Sequence, residues 1–385
     1  MTRTIILLSP VFVSLFWSLV LIGNKKKHTV PRLFLSKFMI FPLMCFICHF
    51  LYFQPLPEIY PYFDYAHQYA GSLILPVYYI YFRLLTVDEK FSFKFHSRYL
   101  IFPALLATIY CIGAMVTPQI EYRTWLFNEQ AFPVSHFIQF LNIMRMILRL
   151  QFLLFVILTV IGNQILLYKY RERAEQFYSD INDGKYNNGK MLNYSIVILC
   201  GTSFLAVAVG RRLLMPKETI IYNVWSISTV MMYIIGHMGF KQKPINPTFD
   251  TLKIASSTSQ PDGFLMLSQN KIIQNLIVQF DEKKIYLNSQ LNIMDVVQKT
   301  GTNRTYLSVI INQKYNQNFC SFVNGYRIEE LKRMVLANCE LTNQTLTENC
   351  GFGSVISLRR AVSSSTGLKL SDWMSQIKSV QYDSV

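Results

Sequence analysis

LNIMDVVQKTGTNRTYLSVIINQ, residues 291–313, holds two helical patterns separated by a glycine. In the first, Leu291, Val296 and Val297 can face a core from one short helix. In the second, Leu307, Ile310 and Ile311 recur at the i, i+3, i+4 spacing of a buried face. Gly301 tolerates the positive φ of a sharp turn between helices, and Asn303 is a good N-cap, its side-chain oxygen able to accept a first-turn N–H. Two short helices joined in this way make a helix-turn-helix, whose second helix has the dimensions to enter a major groove.

The pattern repeats downstream. Residues 319–337 (FCSFVNGYRIEELKRMVLA) predict a longer amphipathic helix with Phe319, Phe322, Val323, Tyr326, Ile328, Leu331 and Val335 on its buried side. A second short helix begins at Leu346, Gly351 and Phe352 form its turn, and SVISLRRAVSSSTG (354–367) is a second candidate recognition helix. The stretch 319–337 would be about 28 Å long as a helix. That length suits two units about 34 Å apart, one duplex turn. Upstream, Leu267, Ile272, Ile273, Leu276, Ile277 and Phe280 give 267–280 one apolar face.

These residues carry a resemblance. L-x4-V-V-x3-G-T-N-R-T-Y-L-S at 291–308, F-x2-F-V-N-x-Y-R-I at 319–328 and G-F-x14-G at 351–367, with Trp373 beyond, resemble the DNA-binding domain of the AraC/XylS family of bacterial transcription regulators. The resemblance spans 272–374 and implies two helix-turn-helix units on a linker helix, reading adjacent major grooves of promoter DNA. There are departures from the family pattern. Ser357, Leu358, Val362 and Ser363 stand where an aromatic pair and then Phe-Lys are usual, and Val309 stands where a basic residue is common. Lighter packing and one lost phosphate contact are expected there.

In the first unit the candidate DNA-binding residues are Asn303, Arg304 and Thr305 at the helix start, with Tyr306, Ser308, Asn312 and Gln313 further along. In the second they are Ser354, Ile356, Arg359 and Arg360. Arginine suits guanine, and Asn or Gln suits adenine, by paired hydrogen bonds, although arginine serves phosphates equally well. From the residues alone, solvated polar faces remain the alternative.

The rest of the chain is of another kind. Of 385 residues, 51% are apolar and only 15% charged, against roughly 25% in ordinary soluble domains. The deficit lies in residues 1–260, whose long apolar runs exclude a single soluble enzyme. Seven spans are predicted, at about 5–23, 33–53, 67–87, 99–117, 146–168, 191–210 and 220–240, each near the roughly 20 residues a bilayer needs. The first is read as an uncleaved anchor, because no small-residue cleavage site follows and Lys25, Lys26 and Lys27 come directly after it.

The net charge is +15, and most of the basic excess lies in residues 1–260. Lys and Arg collect in the first, third and fifth connections and after the seventh span; the second connection has none, and the fourth has only Arg123. Arg211, Arg212 and Lys217 in the sixth connection dissent but are outnumbered. The N-terminus is therefore expected outside and the C-terminal module in the cytoplasm of a bacterial inner membrane. Seven scattered cysteines (Cys45, Cys48, Cys111, Cys200, Cys320, Cys339 and Cys350) argue for a reducing compartment rather than a disulfide framework.

On the sensing side, Asn142, Arg145 and Arg149 fall within about 60° of one another on a helical wheel and form a polar stripe near the outer face. Charge at membrane depth is costly and suggests binding of an anionic or polar ligand; interfacial snorkelling is the plainer alternative. Residues 134–145 are expected to lie along the outer surface and lead into the fifth span. C-x-x-C-H at 45–49 matches a haem-attachment pattern but lies within an apolar span, where lipid packing explains it. His49, His67 and His136 look isolated, and no catalytic or metal spacing is present, so no enzyme activity, metal or cofactor is expected.

The expected architecture is all-α: a seven-helix transmembrane sensor over 1–240, a linker over 241–263 and the DNA-binding module over 264–385. The expected partners are double-stranded promoter DNA, the lipid bilayer, a second copy of the chain, RNA polymerase and a signal ligand of unknown identity. A transporter or channel whose C-terminal module recruits a cytoplasmic partner is the competing reading.

Overall fold

A computed structural model describes residues 2–23, 29–53, 58–88, 90–127, 135–180, 183–214, 218–241, 262–337 and 341–382. Among these residues the regular structure is helical, with no strand. Lys25, Lys26, Lys27, Lys217, Cys339 and the predicted linker from 242 to 261 lie outside them. The chain forms two compact units: Met1–Leu167 with Asn188–Pro247, and Tyr168–Asn187 with Thr248–Val385.

The first unit contains α1 (Thr2–Gly23), α2 (Val30–Phe38), α3 (Ile40–Phe53), α4 (Tyr60–Thr86), α5 (Phe93–His96), α6 (Arg98–Val116) and α7 (Gln119–Phe127). It also holds most of α8 (His136–Glu175) and α9 (Asp183–Leu214), and all of α10 (Glu218–Lys241). Five stretches among the described residues are long and apolar enough to cross a bilayer: α1, α2 with α3, α6, α8 and Thr219–Lys241. The predicted third and sixth spans are also helical. However, α4 carries Asp64, His67, Gln68 and Arg83, and α9 opens with DGKYNNGK, so apolarity alone does not single them out.

Large apolar side chains stand exposed along the candidate spans, among them Phe12, Leu15 and Leu19 on α1, Leu105 and Ile112 on α6, and Leu154 and Ile157 on α8. A soluble unit rarely leaves such continuous apolar surface bare, whereas lipid covers it. Between helices the contacts turn polar. Ser18 and Ser36 each donate to the other's carbonyl oxygen (3.1 and 3.0 Å) across α1 and α2, and the Asn163 amide donates to Asn193 (3.0 Å) across α8 and α9. Such bonds hold helices together where no hydrophobic force separates protein from solvent. Residues 136–145 are helical and lead directly into the fifth span, as expected. With no proline to break it, α8 runs unbroken for 40 residues.

The second unit contains α11 (Asp262–Ile277), α12 (Ile293–Thr300), α13 (Arg304–Tyr315), α14 (Phe319–Ala337), α15 (Asn343–Asn349), α16 (Val355–Thr366) and α17 (Leu370–Tyr382). Asn292 caps α12 through a reciprocal capping box with Asp295, and Gly301 ends it at φ 69°. The helices α13 and α16 are built alike. Each has 12 residues and a polar N-cap, Asn303 accepting from the Tyr306 N–H (2.8 Å) and Ser354 from the Ser357 N–H (3.1 Å). Each buries the residues four, seven and eight places after the cap: Leu307, Ile310 and Ile311 in one, Leu358, Ala361 and Val362 in the other. Each ends on a left-handed residue, Asn316 or Gly367.

The two helices rest on separate cores. Leu291, Ile293, Val296, Leu307, Ile311 and the first half of α14 (Phe319, Phe322, Val323) form one. Ile328, Leu331 and Val335 of its second half join Leu346, Phe352, Leu358, Val362 and Trp373 in the other. Leu358 and Val362 are fully buried, so the two apolar departures from the family pattern serve this core.

Two features of this unit give tests. Gly351 stands at φ 76°, and a Cβ there would lie 2.6 Å from the Leu287 backbone. Gly351→Ala is expected to destabilise the unit by about 2–4 kcal/mol, read as a lowered denaturation midpoint. Glu330 accepts from Lys284 (3.1 and 3.2 Å) and Tyr286 (3.1 Å). Burial pushes its carboxyl up, but these bonds outweigh burial and hold it below the ordinary value of 4.5. The unfolded chain therefore takes up the proton first, and stability present above pH 4.5 is lost as pH falls through the depressed folded value. Glu330→Gln is expected to flatten that acid limb in denaturation midpoints compared between about pH 3 and pH 7.

Candidate nucleic-acid interface

Asn303, Thr305, Asn312 and Gln313 on the α13 side, and Ser354, Ile356 and Arg359 on the α16 side, are exposed; Arg304, Tyr306, Ser308 and Arg360 are partly buried. The structure assigns several of them a second task. The side-chain oxygens of Asn303 and Ser354 are engaged as helix caps, which leaves the Asn303 amide NH2 as the group able to meet a base edge. Measured from the caps, Thr305 corresponds to Ile356 and Ser308 to Arg359. The outer faces therefore match in position while differing in chemistry, polar on α13 and mixed basic and apolar on α16.

The unit is completed from elsewhere in the chain. Residues 168–180 (YKYRERAEQFYSD), which sequence reasoning treats as a plain connection after the fifth span, belong to it. Beyond the end of α8 the chain pairs with the backbone ahead of α12: the Ile293 N–H donates to the Phe177 carbonyl (2.9 Å) and the Ser179 N–H to the Leu291 carbonyl (3.1 Å). The Phe177 ring enters the first core, and the Arg304 guanidinium lies 5.5 Å over it. The Asn318 amide donates to Glu175 (3.4 Å), and the Cys320 thiol to the Ser179 carbonyl (3.5 Å). The Asp180 carboxylate accepts the Gly353 N–H (2.7 Å), immediately before the cap of α16.

Arg327 ties these pieces together. It is fully buried at the point where α14 passes from one core to the other. Its guanidinium donates to the carbonyls of Tyr286 (2.8 Å), Asn288 (2.9 Å) and Ser179 (3.1 Å), and to the Ser179 hydroxyl (3.1 Å). It also lies 5.5 Å over the Phe352 ring. Burial lowers its pKa to about 10, which leaves the side chain charged at neutral pH. Sequence reasoning missed this role, although a signal was present: a charged residue four places after Val323 and four before Leu331, within an apolar stripe.

Electrostatics place the segment beside α16. Burial lowers the pKa of Arg304 and Arg360; Arg171 lowers Arg360 further, while Asp180 and Glu175 oppose the shift. The Cys320 thiol, beneath Ser179, is pushed up to about 12 by burial and is unreactive at neutral pH.

In the first unit, the predicted sensing stripe divides. Asn142 accepts the Trp125 indole N–H (2.9 Å), and Arg145 lies 3.8 Å over the same indole. Arg145 and Arg149, without Asn142, line a cavity bounded by α3, α4, α8 and α9. His49 and His67, which look isolated in the sequence, meet at 3.1 Å on its wall. Among the described residues, no group of three or more His, Cys, Asp or Glu is arranged to hold a metal.

No protein-family model, curated protein or solved structure matches this chain.

The docked segment yields a stability test. Without 168–187, residues 248–385 lose Phe177 from the core and two acceptors of Arg327. That fragment is expected to unfold at a lower denaturant midpoint than the same fragment with 168–187 fused through a flexible linker. Phe177→Ala in the fused form is expected to cost about 3–5 kcal/mol. Equal midpoints for the two fragments would remove the segment from the fold.

Proposed function

We propose that this chain is a membrane-embedded one-component transcription regulator that reads promoter DNA through α13 and α16. The observation that carries the reading is the matched construction of these two helices on one central helix: same length, same cap, same buried positions, and outer faces left to solvent. A protein that reads two successive major grooves needs two equivalent helices held at a fixed separation. The resemblance of residues 272–374 to the AraC/XylS DNA-binding domain supports the same reading. Arg304, Arg359 and Arg360 supply cations for phosphates or guanines, and Thr305, Ser308, Asn312 and Gln313 supply neutral hydrogen-bonding groups for base edges.

The docked segment supports seven spans. Residues 168–180 and the C-terminal module share one compact unit, so both lie on one side of the membrane. The chain between them then crosses an even number of times, and α9 and α10 supply two crossings. The basic connections assign that side to the cytoplasm.

Regulation follows from α8. One unbroken helix carries Arg145 and Arg149 at the cavity and leads, through Glu175, into the segment that meets Arg304 and Gly353. A signal that prefers one position of α8 shifts the equilibrium between reading and non-reading arrangements by its difference in affinity for the two. Two chains reading together would compensate for the modest charge of the module.

The test is a selection of the full chain, in lipid nanodiscs, against a random duplex pool at several salt concentrations. Two short motifs about one helical turn apart, retained near physiological salt, are expected. Arg359→Ala is expected to weaken binding to the selected site by about tenfold or more. Weak binding without a motif and with a steep salt dependence would overturn DNA reading and favour recruitment of a cytoplasmic partner.

A further inference from the structure

The helices α13 and α16 match in construction but not in what they present. On α16, Ile356, Arg359 and Ser363 fall within about 60° of one another, on the side away from the buried Leu358, Ala361 and Val362. The corresponding row on α13 is Thr305, Ser308 and Asn312, polar throughout. Ile356 is therefore the odd member. It is 61% exposed, against 41% or less for Ile277, Val309 and Leu368, the other exposed large apolar side chains described between 262 and 382. Thr305 fills the equivalent place on α13, so this construction does not itself require an apolar residue there. Arg359, one turn further along, is exposed and, among the described residues, bonded to no carboxylate.

An apolar side chain on a face offered to a duplex narrows what that face can meet. Phosphate oxygens give isoleucine no favourable contact, whereas the C5-methyl group of thymine is an apolar group on a major-groove base edge. The row that holds Ile356 is then turned to the bases rather than the backbone, and Arg359 belongs to that row. On base edges a guanidinium finds its best match in guanine, whose O6 and N7 accept a pair of hydrogen bonds. Residues three apart on a helix are separated by about 4.5 Å along its axis, against about 3.4 Å between successive base pairs, so the two side chains meet neighbouring pairs.

We propose that Ile356 and Arg359 are the specificity-determining residues of α16, Ile356 reading a thymine methyl group and Arg359 a guanine on the adjacent base pair. The half-site under α13 is the less discriminating, because Thr305 and Ser308 carry short hydroxyls that serve more than one base. The preferred duplex is therefore asymmetric, and its best-defined position, thymine beside guanine on either strand, lies under α16. The assignment rests on the DNA-reading function proposed above and adds what the DNA must contain.

The experiment starts from the duplex selected by the full chain in lipid nanodiscs and measures its affinity after single-base modification. Replacing the thymine by deoxyuridine removes one methyl group and is expected to weaken binding about fourfold. Replacing the guanine by 7-deazaguanine removes the N7 acceptor and is expected to weaken binding about tenfold or more. Both arms use the unaltered protein, so no folding defect enters them. In Ile356→Ala the deoxyuridine effect is expected to vanish while the 7-deazaguanine effect persists, and in Arg359→Ala the reverse. Three outcomes would each overturn the assignment and leave DNA reading standing. They are a selected site with no thymine beside guanine, a modification effect that survives its matching variant, and an Arg359→Ala loss that is equal on all sequences with a shallower salt slope, the mark of a phosphate contact. Selection of no motif at all would instead overturn DNA reading, and the assignment with it.

Discussion

A single buried cation holds the C-terminal unit in its arrangement. Arg327 sits where α14 leaves the first core and enters the second, with no carboxylate bonded to it among the described residues. Burying a guanidinium costs several kcal/mol unless its donors are met. Here they are met by carbonyl oxygens at Tyr286, Asn288 and Ser179 and by the Ser179 hydroxyl. Each acceptor belongs to a segment that would otherwise be a loose connection. The cation therefore fixes three backbone stretches at once, and its plane reaches Phe352, from which α16 starts. An apolar residue at 327 would pack the core yet leave those carbonyls with no reason to converge.

One of those stretches directly follows α8. Through Ser179, the buried cation engages the connection after α8, and Phe177 and Asp180 on either side reach the start of α13 and the turn before α16. The placement of α13 and α16 is then tied to where residues 177–180 stand. This arrangement differs from a module on a tether, where linker length sets only a local concentration. Here the connection contributes core, hydrogen-bond acceptors and a ring beneath Arg304.

Much of the C-terminal unit was legible because its determinants are local. Gly301 and Asn303 mark a turn and a cap two residues apart. Leu307, Ile310 and Ile311 follow at helical spacing, and the stretch 319–337 is a helix with the bounds the pattern predicts. Local signals fail where a partner is distant. Ser179 lies 148 residues from Arg327 in sequence, and His67 lies 18 from His49, so neither pairing leaves a trace in periodicity. Hydropathy fails for a related reason at α4. Asp64, His67 and Gln68 lower its apolarity because they face a polar interior rather than lipid, so the features that hide the helix from an apolarity criterion are those that build the cavity.

The same conflict between local rule and distant partner separates α13 and α16. On α13, Arg304 is partly withdrawn over Phe177, leaving mostly neutral groups outward. On α16, Arg359 is exposed, while Arg360 lies within the field of Glu175 and Asp180. Arg360 on α16 is a cation that Arg171, Asp180 and Glu175 already influence, whereas burial alone shifts Arg304 on α13. The charge at the second helix is therefore the more sensitive to the position of residues 171–180. Asp180 holds the Gly353 N–H next to the cap of that helix, so a movement that withdraws the acidic segment also alters how the helix begins. Charge and geometry are therefore coupled at α16 through the one residue, Asp180.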